Sequence, residues 1–238
     1  ILREAGLEPL GMLGARGDLL LCRAEDAEAA LKASIRASGI SRVKWAIPDF
    51  TIPIELYHRP NDPYFGNQWH HQQESGAHIG SEAAWDITLG DNQVVAAVID
   101  TGVDEDHPDL DAANIVTGYN AVDDSNDPTP LTGAVDAHGT ACSGEILAAA
   151  DNDEGVVGVC PACSLMGIKM MDGASTQAQI SQGYIAIEYA VDNGAWVISN
   201  SWGIDEGIIG QVDIQPFYDA IQDAVSLGRG GKGAVVLF

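Results

Sequence analysis

Two residues of this chain have the types and settings for proton transfer, Asp100 and His138. Asp100 closes the apolar run Val94-Val-Ala-Ala-Val-Ile and is followed by Thr101-Gly102. Open α/β sheets place their ligand sites at the carboxyl ends of buried strands, which is where such an aspartate lies. His138 stands in Asp136-Ala-His-Gly-Thr140, leading into a helical pattern from Ala141 to Ala150. Its small neighbours would let it approach another group closely. A carboxylate that holds one ring nitrogen frees the other to take a proton from a hydroxyl or thiol nucleophile. Taken singly, Asp100 fits a turn cap and His138 a structural histidine.

A base of this kind needs a nucleophile. The chain has no Gly-x-Ser-x-Gly and no Gly-Thr-Ser ahead of a helical run. Ser143 lies in Ala-Cys-Ser-Gly, inside the helix that follows the histidine. Cys142, four residues after His138, shares its helix face, so a cysteine–histidine dyad is an alternative. The other cysteines are Cys22, Cys160 and Cys163. A lone Cys-Pro-Ala-Cys without a second pair falls short of a zinc site. The spacing predicts a tight Cys160–Cys163 disulfide in a loop, and with it an oxidising compartment; two unpaired thiols are the alternative.

Charge narrows the partners. Thirty-five acidic against eleven basic residues leave a net charge of -24. Such a surface repels phosphate backbones and anionic headgroups, which argues against nucleic acid and membrane as partners. It favours cations, including calcium and basic peptides, and also suits solubility in salty surroundings. No apolar run is long enough to span a bilayer. The first residues, Ile1 to Gly11, lack the basic and apolar regions of a signal peptide, which is either already removed or was never there.

The elements that must position Asp100 and His138 alternate between strand and helix. Val94 to Ile99, Leu165 to Met170 and Ala195 to Ile198 read as strands buried on both faces. Ser175 to Asn193 has helical spacing and ends near Gly194, and Gly233 opens another strand. The pattern predicts an α/β fold with a doubly wound parallel sheet. Leu7 to about Phe50 reads as a smaller α/β unit. It has a strand at Asp18 to Arg23, a helix over Ala24 to Ala37 with Glu25, Asp26 and Glu28 in its first turn, and a strand over Val43 to Ile47. Ile52 to Tyr64 is proline-rich and reads as a linker.

Four blocks in one order carry a resemblance: Ala97-Val-Ile-Asp-Thr-Gly-Val-Asp104, His107-Pro-Asp-Leu110, His138-Gly-Thr140 and Ser199-Asn-Ser-Trp-Gly203. Together they resemble the subtilisin-like serine proteases over roughly Asp62 to Phe238. Aspartate before histidine is also the order of that family. The resemblance implies that Asp100 and His138 are two members of an Asp-His-Ser triad. It puts the oxyanion asparagine and the nucleophilic serine beyond Phe238, on a second chain or a C-terminal part. It gives residues 1–51 as a propeptide-like unit, 52–64 as a linker and 65–238 as the N-terminal part of the catalytic domain. Asn61 to Trp69 resembles the start of the mature domain in secreted and kexin-like members, and so implies a secreted or extracytoplasmic protein.

Further roles follow from the same resemblance. Ser201, Trp202 and Gly203 would form the strand on which a polypeptide substrate pairs. A structural Ca²⁺ would be held by side-chain oxygens of Asp62, Asp109 and Asn152 and by carbonyls of Ala150, Glu154 and Val156, giving the six or more oxygens calcium prefers. The segment Gly228 to Val236 is similar to kexin-like and furin-like convertases, which cut after basic residues. Glu206, beside Asp205, would then attract a basic side chain before the scissile bond, although Thr101 stands where convertases have a second aspartate. The competing class is a non-catalytic binding or regulatory module built on a protease scaffold.

Overall fold

The computed structural model describes residues 6–13, 17–51, 58–111, 114–131, 136–173, 177–205, 207–208 and 210–238. The chain divides into two compact units, Ile1–Leu56 and Tyr57–Phe238.

In the first unit, β1 (Glu8–Leu13) pairs antiparallel with β2 (Leu19–Arg23), and α1 (Ala27–Ser38) follows. Asp26 lies outside the helix as its N-cap, accepting the Ala29 amide at 2.7 Å, so α1 starts three residues later than the acidic cluster predicts. Residues 43–47 form no strand. The partner of β2 is β1, whose Pro9 and Gly11 depress the strand signal and are absorbed by a register shift between them. The Ser38 hydroxyl donates to the Ala46 carbonyl at 3.2 Å, tying the 43–47 stretch to the end of α1. Residues 52–57 of the expected linker lie outside the described residues.

The second unit is a parallel sheet with helices on both faces. Its elements are α2 (Ser81–Trp85), β3 (Val95–Asp100), β4 (Tyr119–Asn120), α3 (His138–Leu147), β5 (Ser164–Lys169), α4 (Ile180–Asp192), β6 (Val197–Ser199), α5 (Gln215–Gly231) and β7 (Val235–Leu237). The strand order is β4-β5-β3-β6-β7, all parallel. Side chains alternate across β3: Ala97 and Ile99 pack with Ala186, Ala190 and Ala220 of α4 and α5, while Ala96 and Val98 pack with Leu147 of α3. Both faces are therefore buried, which explains an unbroken apolar run rather than alternation with polar residues. Alanine on strand and helix alike lets backbones come close.

The order reverses at β3. The chain runs first to β4 and β5 on one side, then crosses to β6 and β7 on the other. Such a switch point opens a crevice at the carboxyl ends of the strands, and Asp100 is the last residue of β3. Two helices differ from expectation: α3 begins at His138 itself and stops at Leu147, and α4 begins at Ile180, while Ser175, where the helical spacing starts, lies outside the described residues. Helix α5 has no counterpart in the sequence reading. Its final turn is broken by non-helical Gly228, Arg229 and Gly230. Among the described residues no helix is long and apolar enough to cross a membrane.

Candidate active site

The end of β3 and the start of α3 meet at one contact. His138 Nδ1 lies 2.8 Å from Asp100 Oδ1. A carboxylate only accepts, so the proton sits on Nδ1. Asp100 is 1% exposed, whereas the His138 side chain is 53% exposed. A buried anion thus orients an imidazole that reaches solvent. Asp100 Oδ1 also accepts the Thr101 amide at 2.7 Å, and Oδ2 is buried without a hydrogen-bond partner.

The approach of α3 to β3 depends on Gly139, the residue after the histidine. A Cβ there would stand 2.3 Å from the Gly102 carbonyl oxygen. The Thr101 hydroxyl donates to the Asp136 carbonyl at 2.9 Å and accepts the Gly139 amide at 3.1 Å, joining the two segments beside the dyad.

Asp100, Thr101 and His138 line a cleft of about 770 Å³. Trp202 and Gly203 line it too, in a segment past the end of β6 that forms no strand of its own, and the Trp202 indole donates to the Ile99 carbonyl at 2.8 Å, fixing this segment to β3. Most of the wall is apolar, with Met170, Met171, Ile180, Ile204, Ile214 and Phe217. Asp205 also lines it, with Oδ1 accepting the Gly207 amide at 2.7 Å. Glu206 lies outside the described residues. Sequence reading missed the wall contributed by α4, α5 and the residues before them, because these positions are brought together only by the crossovers.

The other nucleophile candidates do not suit attack. Ser143 is fully buried, and its hydroxyl donates to the Gly139 carbonyl at 2.8 Å. Cys142 Sγ lies 3.9 Å from His138 Nδ1, the nitrogen already engaged by Asp100. Burial pushes the Cys142 thiol up, the Asp100 and Glu145 carboxylates add to this, and a hydrogen bond with the Ser201 side chain opposes it. Cys142 therefore stands on the wrong side of the ring for a base acting through Nε2.

The acidic loop after α3 forms a second cluster. Asp62 and Asp109 are each 4% exposed. Asp109 accepts the Asn152 side-chain amide at 3.0 Å through Oδ1 and the Val156 amide at 2.8 Å through Oδ2. Asp62 Oδ2 accepts the Asp151 amide at 3.0 Å, and Oδ1 is buried without a partner. The Asn152 oxygen is turned to the Glu154 amide at 2.9 Å. Gly155 has φ +31, and a Cβ on it would lie 2.1 Å from Asp109 Oδ2. Burial raises the Asp62 carboxyl above its usual range, and the nearby Asp109 and Asp151 carboxylates add to this. A buried carboxylate oxygen without a donor, crowded by other carboxylates, fits a hard cation. Ala150, Glu154 and Val156 lie on the same loop. Cys160 and Cys163 are disulfide-bonded, with Cα atoms 5.4 Å apart, while Cys22 and Cys142 are free.

A parallel sheet with an aspartate–histidine pair at its switch point defines an α/β protein equipped for general-base chemistry. The chain belongs to the subtilase family, whose model matches residues 91–238. Thermitase from Thermoactinomyces vulgaris is 38% identical over 75% of this chain. The calcium-dependent protease of Trichormus variabilis is 34% identical over 73% of it, and human furin 30% identical over 77%. The chain spans 56% of the length of thermitase, 28% of the calcium-dependent protease and 23% of furin. Among solved structures, a protease from Pseudoalteromonas arctica aligns with TM-score 0.58 at 26% identity, covering 75% of this chain and 58% of its own. The Aeromonas sobria serine protease, solved with its chaperone, aligns with TM-score 0.62 at 25% identity over 74% of this chain and 31% of the other.

Proposed function

We propose that the protein containing this chain is a serine endopeptidase, in which Asp100 and His138 are the orienting carboxylate and the general base of an Asp-His-Ser triad. The observation that carries this reading is the 2.8 Å bond between a buried aspartate and a solvent-reaching histidine that line one cleft. His138 Nε2 takes the serine hydroxyl proton as the oxygen attacks the scissile carbonyl carbon, and Asp100 stabilises the imidazolium that forms. The same Nε2–H then passes its proton to the departing amine, the C–N bond breaks, and water completes the hydrolysis of the acyl-enzyme. The serine and the oxyanion asparagine come from beyond Phe238 or from a second chain.

A fluorophosphonate probe tests this on the full-length protein. One covalent label per molecule, lost in His138→Ala, is the expected result. An unlabelled, folded protein that still binds peptides would favour the non-catalytic module instead.

The polypeptide substrate would pair with Ser201 to Gly203 and place side chains in the apolar cleft. A finer proposal is a preference for Arg or Lys before the cleaved bond, supported by Asp205 at the cleft and by the 30% identity to furin. Matched peptides with Arg, Leu or Phe at that position decide it. Arg should have the highest kcat/KM, and Glu206→Gln should reduce that advantage; equal rates would remove Glu206 from the site.

Calcium belongs to the same proposal. Asp62, Asp109 and Asn152, with the carbonyls of Ala150, Glu154 and Val156, would hold it. The bound ion would supply positive charge that offsets the repulsion among these carboxylates. The Cys160–Cys163 disulfide and the similarity of Asn61 to Trp69 to secreted members support a place outside the cytoplasm. Residues 1–51 would act as the propeptide-like unit.

A further inference from the structure

Thr101 makes three hydrogen bonds to groups that flank the dyad, and none of them is to solvent. Its amide donates to Asp100 Oδ1 at 2.7 Å. Its hydroxyl donates to the Asp136 carbonyl at 2.9 Å and accepts the Gly139 amide at 3.1 Å. Asp136 and Gly139 bracket His138 in the chain, and Thr101 directly follows Asp100. One side chain, 6% exposed, therefore spans the junction on which the Asp100–His138 distance depends.

The local geometry gives this clasp a task. Ala137, the N-cap residue of α3, provides no side-chain hydrogen bond, and the first turn of α3 contains no acidic residue. Gly139 is one of the first amides of that helix, which have no partner within it. Thr101 supplies the missing acceptor from the neighbouring strand, so the helix start is capped by the residue beside the aspartate rather than by its own chain. We propose that Thr101 is a positioning residue for the proposed proton transfer: its hydroxyl fixes the start of α3, and thereby holds His138 in register with Asp100. This deepens the protease reading, since its effect on turnover depends on that reading.

The choice of threonine follows from the chemistry. A hydroxyl both donates and accepts, as the carbonyl and the amide together require. Serine keeps both functions; valine keeps the shape and loses both.

The test uses the full-length protein in three forms, wild type, Thr101→Val and Thr101→Ser. In Thr101→Val, kcat should fall about 10- to 100-fold, the scale on which a displacement of up to about 1 Å of the reacting base lowers the rate. KM should stay within about two-fold, because Thr101 orients the base and does not hold the substrate backbone. Thr101→Ser should recover most of kcat. The downfield proton resonance of the His138 Nδ1–H bond to Asp100, followed by NMR, should broaden or disappear in Thr101→Val and return in Thr101→Ser. If Thr101→Val does not fold, Thr101→Ser decides alone: a loss of more than about ten-fold in kcat would show that the methyl, not the hydroxyl, matters, and would overturn the inference. Unchanged kcat and an unchanged resonance in a folded Thr101→Val would overturn it as well. If the wild type hydrolyses nothing while the resonance responds as stated, the positioning role stands and the protease reading fails.

Discussion

Gly139 and Asp100 approach so closely that no side chain fits between them. A Cβ built on Gly139 would lie 2.9 Å from Asp100 Cβ and 3.2 Å from its Oδ1, in addition to its clash with the Gly102 carbonyl oxygen. The neighbours are largely backbone and a buried carboxylate, so relief requires moving the start of α3. Gly139→Ala should therefore act twice. Overpacking of this kind costs about 1–3 kcal/mol, which for a domain of this size lowers Tm by about 2 to 12 °C. It should also displace His138, reducing kcat by about 100-fold or more. Thermal melting and steady-state kinetics on the full-length protein check both; a variant with native Tm and kcat would refute the close approach.

Calcium removal is the second test. Chelation should lower Tm by about 5 to 10 °C if calcium is present near 100 times its dissociation constant. Asp62→Asn should abolish most of that increment. In chelator, the same variant should match or exceed the wild type, because the amide removes an anion that burial and the neighbouring Asp109 and Asp151 carboxylates destabilise. It also retains an oxygen to accept the Asp151 amide. A wild type indifferent to chelator would refute the site.

Acid stability should depend on His71, which is fully buried. Its Nε2 donates to the Val157 carbonyl at 3.0 Å, and its Nδ1 lies 2.7 Å from the Ser81 hydroxyl, from which the neutral ring accepts. Burial lowers its pKa from the ordinary 6.5, the proximity of His70 contributes in the same sense, and the bond to Val157 opposes them. The unfolded chain thus binds this proton more readily than the native one. Native stability is complete above about pH 6.5 and is lost as pH falls below it, until the native ring also protonates. His71→Gln should flatten the stability profile between about pH 5 and 7 in urea titrations; an unchanged slope would remove His71 as the cause.

Cys142 should be dispensable for chemistry. Its sulfur faces Nδ1 rather than Nε2, and its thiol is pushed up by burial. Cys142→Ala in the full-length protein should keep kcat/KM within about ten-fold of wild type, a side chain near the dyad but outside the proton path. Loss comparable to that of His138→Ala would revive the cysteine nucleophile.

Much of this is legible in the sequence, for physical reasons that differ by element. β3 is buried on both faces, so its apolar run and terminal Asp100 stand out, and the small residues around His138 mark a close approach. β1 was hidden by Pro9 and Gly11, which pairing tolerates through the register shift. Val43 to Ile47 has strand-like residues, but β2 already has its partner in β1. α5 carries apolar residues such as Phe217, Ala220 and Ala224 on its buried face, and its glycine-rich end reads as loop. The cleft wall is assembled from the segment after β5, α4, the segment after β6 and α5, so spacing within any one of them says nothing about it. The clasp of Thr101 needs both flanks of His138 in place, which only the fold provides.

The central claim is that Asp100 orients His138 as the base of a serine protease. The most direct measurement is kcat/KM of the full-length protein carrying Asp100→Asn, compared with wild type on one peptide substrate at neutral pH. Asparagine fills the same space but presents a neutral amide to Nδ1, so the ring loses its fixed tautomer and its counter-charge. The account predicts a loss of about four orders of magnitude, mostly in kcat, with melting behaviour preserved. Activity within about ten-fold of wild type would contradict it.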